Sequence, residues 1–126
     1  MPKSVPRLPG VEPGATPYSQ VVEANGLVFL AGQVGTGPDG HEVVPGGIGP
    51  ETRATLDNVG RLLRALDLGY EDVVRCTVYL VDMADFAAMN EVYRTYFPDD
   101  PPVRATVGVA ALAGPFRIEI DVTAAR

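Results

Sequence analysis

The chain has 126 residues, enough for one domain with a core of its own and too few for two. Its net charge of −6, with no cluster of Lys or Arg, argues against nucleic acid as the main ligand, and no apolar run approaches the ~20 residues that cross a bilayer. The only Lys is Lys3, the only His is His41 and the only Cys is Cys76, so a Schiff-base lysine, a phosphate-loop lysine, a Cys/His zinc cluster and an internal disulfide all fall away.

Residues 1–17 are rich in proline and glycine and hold no sustained period, so they read as an irregular lead-in to a single domain spanning 1–126. An N-terminus broken by proline and glycine is not a secretion signal, and the expected location is cytoplasmic. Tyr18–Ala24 and Leu27–Gly32 flank Asn25-Gly26, a pair suited to the two positive φ angles of a tight hairpin turn. The stretch from Gly32 to Gly49 is a Gly/Pro-rich loop with a short strand expected at His41–Val44. Its Gly32-Gln-Val-Gly-Thr-Gly37 run lacks the lysine and the following helix of a phosphate cradle and reads as a turn or bulge.

Pro50 opens a predicted helix in which Leu56, Val59, Leu62, Leu63 and Leu66 share a face, with Gly69 as its left-handed stop. Val73–Val81 is apolar on both parities, as a strand covered on both faces would be. Asp82 is placed to cap a second helix whose stripe is Phe86, Met89, Tyr93 and Phe97, ended by Pro98. Val103–Val109 and Phe116–Thr123 then alternate as strands. Paired as a simple hairpin, they set Arg104 opposite Asp121 and Thr106 opposite Glu119, with Val103, Ala105, Val107 and Val109 turned toward the helices. The expected architecture is α+β: a six-stranded sheet with two helices on one face and its other face left for a partner.

Several residues could carry chemistry. Arg104, among apolar neighbours, is either a strand arginine paired with Asp121 or a bidentate clamp for a small carboxylate, the task for which a planar guanidinium is shaped. Glu119 is either a solvated strand position or a carboxylate that orients water. Asn90 sits at the edge of the helical stripe, as a structural amide or a ligand contact, and the Tyr18 hydroxyl could reach a site edge. His41 reads as a solvated loop residue and Cys76 as a small hydrophobe.

The segments Pro17-Tyr-Ser-Gln20, Leu27-Val-Phe-Leu-Ala-Gly-Gln33, Asn58-Val59, Asn90-Glu-Val-Tyr-Arg-Thr-Tyr-Phe97, Pro102-Val-Arg104 and Ile118-Glu-Ile120 occur in an order that resembles the Rid family, the reactive intermediate deaminases of the YjgF/UK114 group. The resemblance, running from about Tyr18 to Ala125, implies a chorismate-mutase-like fold of the bacillus type and a homotrimer with ligand clefts at the subunit boundaries. It implies hydrolytic deamination of 2-imino or enamine acids to 2-oxo acids and ammonia, without metal or cofactor. In that reading Arg104 holds the carboxylate and Glu119 positions water, while Tyr18, Gly32, Asn90 and Thr106 complete the substrate site. Thr106 and Ala31 stand where the best-known subgroup has Cys and Ser, which changes the polarity and volume of the cleft. The competing expectation is a binding module that senses or buffers 2-oxo acids through the same arginine. Ribonuclease or chaperone-like activity, reported for relatives, finds little support in an acidic chain whose one histidine lies in a loop.

Overall fold

A computed structural model describes residues 2–126. The elements are β1 (Val21–Ala24), β2 (Leu27–Val34), α1 (Ile48–Ala65), β3 (Val73–Leu80), α2 (Phe86–Tyr96), β4 (Val103–Gly108) and β5 (Ile118–Ala125), with 3-10 turns ahead of β3 and α2. The hairpin forms as the sequence predicts: Asn25 and Gly26 take φ of 52° and 77°, and Ala24 pairs with Leu27.

The sheet has five strands in the order β1-β2-β5-β3-β4, all antiparallel except the parallel pair β3–β4. The sixth strand expected at His41–Val44 is reduced to one bridge between Thr36 and Val43. The predicted β4–β5 hairpin does not form either. After β4 the chain passes over the end of the sheet and inserts β5 between β2 and β3, so β4 becomes an edge strand alongside β3. Arg104 is therefore opposite Cys76 and Thr106 opposite Val78, whereas Asp121 faces Thr77 and Glu119 lies between Tyr79 and Val34.

That register overturns the predicted facing of β4. Neighbours across a ladder point to the same side of a sheet. Cys76 and Val78 point toward the helices, fully buried, so Arg104 and Thr106 point there too. Val103 and Val107 face away, 63% and 40% exposed. On β5 the alternation runs as expected, with Ile118, Ile120, Val122 and Ala124 buried against the helices and Glu119, Asp121 and Thr123 on the open face.

The core fills the layer between sheet and helices. Leu56, Val59 and Leu63 of α1 and Met89 of α2 are fully buried against β2, β3 and β5, each large aliphatic side chain contributing about 2 kcal/mol of transfer free energy. Leu62 is only partly buried at the margin. Helix α1 begins two residues before Pro50 and ends at Ala65, closed not by Gly69 but by Asp67, which takes φ 59° while Leu68 N–H donates to the Leu63 carbonyl and Asp67 N–H to that of Arg64. This is a Schellman closure with Asp in the usual glycine position. Asp82 caps the 3-10 turn Met83–Asp85 by accepting from Ala84 N–H, and α2 starts one turn later.

One buried acid ties helix to sheet. Glu51, in the first turn of α1, is 2% exposed, and its Oε2 accepts from the backbone N–H groups of Arg117 (2.6 Å) and Ile118 (3.3 Å) at the start of β5. Burial pushes its carboxyl above the ordinary value against the pull of those two donors. Glu51→Ala leaves two donors unsatisfied and is expected to lose about 2–3 kcal/mol of unfolding free energy in urea at neutral pH. Because the folded state binds this proton more tightly than the unfolded chain, the Glu51 contribution is present at low pH and fades as pH rises past its raised pKa. The stability of the protein relative to Glu51→Gln should accordingly decline between about pH 4 and neutrality, measured by urea melts across that range.

Candidate active site

Arg104 is positioned by β4 beneath α2. Its guanidinium carbon lies 4.7 Å from the centre of the Tyr93 ring and 5.7 Å from that of Phe86, so two aromatic faces stabilise a half-buried cation. Among the described residues it has no ion-pair partner. The predicted alternative, a pair with Asp121, is excluded by the register, which places Asp121 on the opposite face with the Tyr79 hydroxyl donating to its Oδ2 at 3.0 Å.

Beside Arg104 opens a cavity of about 260 Å³. Helix α2 lines it with Asn90, Tyr93, Arg94 and Phe97, residues that the helical repeat brings to one side. The Pro101-Pro102 segment, which leads into β4, closes the other wall. Tyr93 lies at the base of the site: its hydroxyl is buried without a hydrogen-bond partner among the described residues, and burial pushes its ionisation far up. Cys76, on β3 next to Arg104, is also fully buried, and burial pushes its thiol up to about 11, where it is a neutral hydrophobe at physiological pH. Thr106, two residues along on the same face as Arg104, has a buried hydroxyl oxygen that likewise lacks a partner. An orphaned buried hydroxyl is costly in a settled core and is characteristic of a place where something else binds.

The other predicted residues are elsewhere. Glu119 is on the open face of the sheet, packed over Gly32: a Cβ built on Gly32 would come within 2.2 Å of Glu119 Oε2, so the bare backbone there makes room for the carboxylate. Burial raises the Glu119 carboxyl above its ordinary value and the negative Asp121 raises it further. Tyr18 is 58% exposed in the turn before β1 and lines a separate, smaller cavity of about 110 Å³ together with the lead-in residues 5–16. One chain thus gathers Arg104, Asn90 and Thr106 on its helix side and Gly32 and Glu119 on its open side, with Tyr18 apart from both groups.

Sequence reasoning passed over Arg94 and the Pro101-Pro102 wall, although both flank residues it had singled out. Arg94 is four residues after Asn90, a spacing that puts the two side chains on one helical face, and this could have been read from the sequence. Glu51 gave no such signal, because an acid in the first turn of a helix is ordinarily solvated.

Comparison with known proteins places this geometry. Residues 10–126 match the family model described as endoribonuclease L-PSP. A 2-iminobutanoate/2-iminopropanoate deaminase of Mus musculus is 43% identical over 108 residues, covering 86% of this chain and 80% of the mouse protein. The solved structure of Escherichia coli TdcF with bound serine superposes with a TM-score of 0.82 at 34% identity, covering 88% of this chain and 89% of that one. A yeast structure, YEO7, superposes with a TM-score of 0.90 at 30% identity over 99% of both chains. With the family model spanning the whole folded body and a relative this similar over most of its length, the chain belongs to the endoribonuclease L-PSP family, the Rid group that its sequence motifs resemble.

Proposed function

We propose that this protein hydrolyses reactive 2-imino and enamine acids, such as 2-iminopropanoate, to 2-oxo acids and ammonia. The observation that carries the reading is a half-buried guanidinium, stacked on an aromatic ring and without an ion-pair partner among the described residues, at the wall of a cavity of small-molecule size. Such a group is complementary to a carboxylate, which it can grip through two parallel N–H donors. The mouse relative bears the name of this activity, and the TdcF structure holds serine, an amino acid that presents the same carboxylate.

In this reading Arg104 fixes the substrate carboxylate, the Asn90 amide and Thr106 hydroxyl orient the imine, and water adds to C2. The C=N bond becomes a tetrahedral carbinolamine; a proton passes to nitrogen, the C–N bond breaks, ammonia leaves and the water oxygen remains as the 2-oxo group. A carboxylate suited to hold the water and pass that proton is Glu119, whose raised pKa brings it nearer to the range in which a base can both take and return a proton.

Arg104 and Glu119 lie on opposite faces of the sheet, so a site that uses both draws them from two copies of the chain. This supports a homotrimer of the chorismate-mutase-like kind, in which the open face, with exposed Phe29, Val103 and Val107, is covered by neighbouring subunits and each cleft at a boundary joins Arg104, Asn90 and Thr106 of one copy to Glu119, Gly32 and Tyr18 of the next. The protein would work in the cytoplasm, where such imines are released. The alternative reading, a 2-oxo acid binding protein, is favoured by one fact: the Arg104 cavity of a single copy is lined by no carboxylate, and so could hold the ligand without activating water. RNA cleavage draws no support from the cavity, since His41 stands in the exposed loop and does not line it.

The test generates an imine with an amino-acid oxidase in the presence of semicarbazide and measures how far the protein diverts it to the 2-oxo acid. Arg104→Ala should reduce kcat/KM by about 10- to 100-fold, the worth of one charge-assisted contact, and Arg104→Lys should recover only part of it. If wild type and Arg104→Ala divert equal amounts, the hydrolase reading fails; if the wild-type protein binds 2-oxo acids without diverting any imine, the binding alternative takes its place. For wild type, kcat/KM should rise with pH through an apparent pKa above 4.5 as Glu119 ionises, and Glu119→Gln should lower the rate by about 100-fold or more and abolish that limb.

A further inference from the structure

The cavity beside Arg104 is lined by a second arginine, Arg94, that the hydrolysis of a simple imine does not use. Arg94 and Arg104 both line it, and no carboxylate does, although the chain as a whole carries a net charge of −6. Arg94 has one acidic neighbour, Glu91, at 3.9 Å, the outer edge of an ion pair, and the two side chains are 68% and 75% exposed. An exposed pair at that distance is worth little and yields at little cost to a better anion.

The rest of the lining is largely apolar, made of Phe97, Pro101, Pro102 and Tyr93, with Asn90 as its amide. The cavity opens to the surface of the chain, so none of its own lining residues caps a ligand longer than 2-iminopropanoate.

From these observations we infer that Arg94 is a specificity-determining residue and that the cavity is built for dicarboxylic 2-imino acids: Arg104 takes the carboxylate next to the imine, a short methylene spacer lies against Phe97 and the prolines, and the second carboxylate meets Arg94. The inference rests on the reading of Arg104 as a carboxylate clamp and names the substrate class for that same site. The chemistry is unchanged. Water adds to C2, ammonia leaves, and the distal carboxylate takes no part in bond making or breaking.

The experiment compares two imines, 2-iminopentanedioate generated from L-glutamate by a glutamate oxidase and 2-iminopropanoate generated from alanine, and follows the ratio of their kcat/KM values in wild type, Arg94→Ala, Arg94→Lys and Arg94→Glu. The ratio should fall about fivefold in Arg94→Ala, the upper end for a partly solvated ion pair, further in Arg94→Glu, and least in Arg94→Lys. A ratio that stays within twofold across the series overturns the inference. Calorimetry with 2-oxopentanedioate and 2-oxobutanoate on wild type and Arg94→Ala reads the same preference without catalysis. If no imine is diverted but Arg94→Ala still selectively weakens the dicarboxylate, the hydrolase reading falls and this one stands; if Arg104→Ala lowers both rates while Arg94→Ala leaves the ratio unmoved, the reverse holds; if neither 2-oxo acid binds and no imine is diverted, both fall.

Discussion

A cation held on an aromatic face without a counter-ion is the feature around which the rest of this molecule is arranged. Removing a guanidinium from water costs several kcal/mol unless something replaces its hydration. Here the Tyr93 ring, 4.7 Å away, replaces part of it and Phe86 adds a second face. Rings compensate a positive charge without occupying its N–H donors, which an aspartate in the same place would do. The donors stay available to a ligand. Keeping them available requires that Arg104 point at α2, and it does so because β4 runs parallel to β3 with Arg104 next to the buried Cys76. It also requires a gap between the end of α2 and the edge strand: Pro98 follows the helix end, the chain bends at Asp100, and Pro101 and Pro102 form a wall of the cavity.

The sheet then acts as a separator. Glu119 is two positions from Asp121 along β5, and both stand on the face opposite Arg104, so neither acid pairs with that guanidinium within one chain. On one face, Arg104 and Asp121 would form the internal pair that the hairpin arrangement predicts. Gly32 contributes from the other side. Only a residue without Cβ lets Glu119 lie down against β2. A carboxylate lying on the backbone is partly desolvated, which is the main reason its pKa rises.

How much of this could be read from the sequence follows from what alternation encodes. Period two separates Arg104 and Thr106 from Val103, Ala105 and Val107 correctly, but it does not say which set faces the helices. The usual assumption, apolar side inward, fails on β4 because it is an edge strand whose outer face carries the valines and whose inner face borders the cavity beside Arg104. On β5, central and covered, the same assumption holds. The topology was hidden for a related reason: two alternating strands joined by a loop with Gly-Pro look like a hairpin, and nothing local records that β5 slips between β2 and β3. Arg104 and Asn90, both singled out in the sequence, come to line one cavity, Arg104 from β4 and Asn90 from α2. Asp67 replaces Gly69 as the helix stop because the closure depends on which residue follows the last turn, a matter of one or two positions that hydrophobic periodicity does not fix.

The open face of the sheet carries both apolar and acidic residues. Phe29 and Val107 remain about two-fifths exposed, and Val103 more so, on a surface that also carries Glu119, Asp121 and Tyr79. Exposed apolar strand positions forgo the transfer free energy that burial would give them, while the acids beside them are hydrated. Covered by another copy, the same surface makes sense in both respects: the valines are buried, and further desolvation moves Glu119 in the direction in which burial has already taken it. The Tyr79 hydroxyl, engaged on Asp121, keeps that neighbour in a fixed place, so its charge bears on Glu119 from one direction. Two adjacent carboxylates, one hydrogen-bonded and one pressed against a glycine, thus stand in unequal surroundings, and it is Glu119 whose carboxyl burial and the neighbouring charge push up.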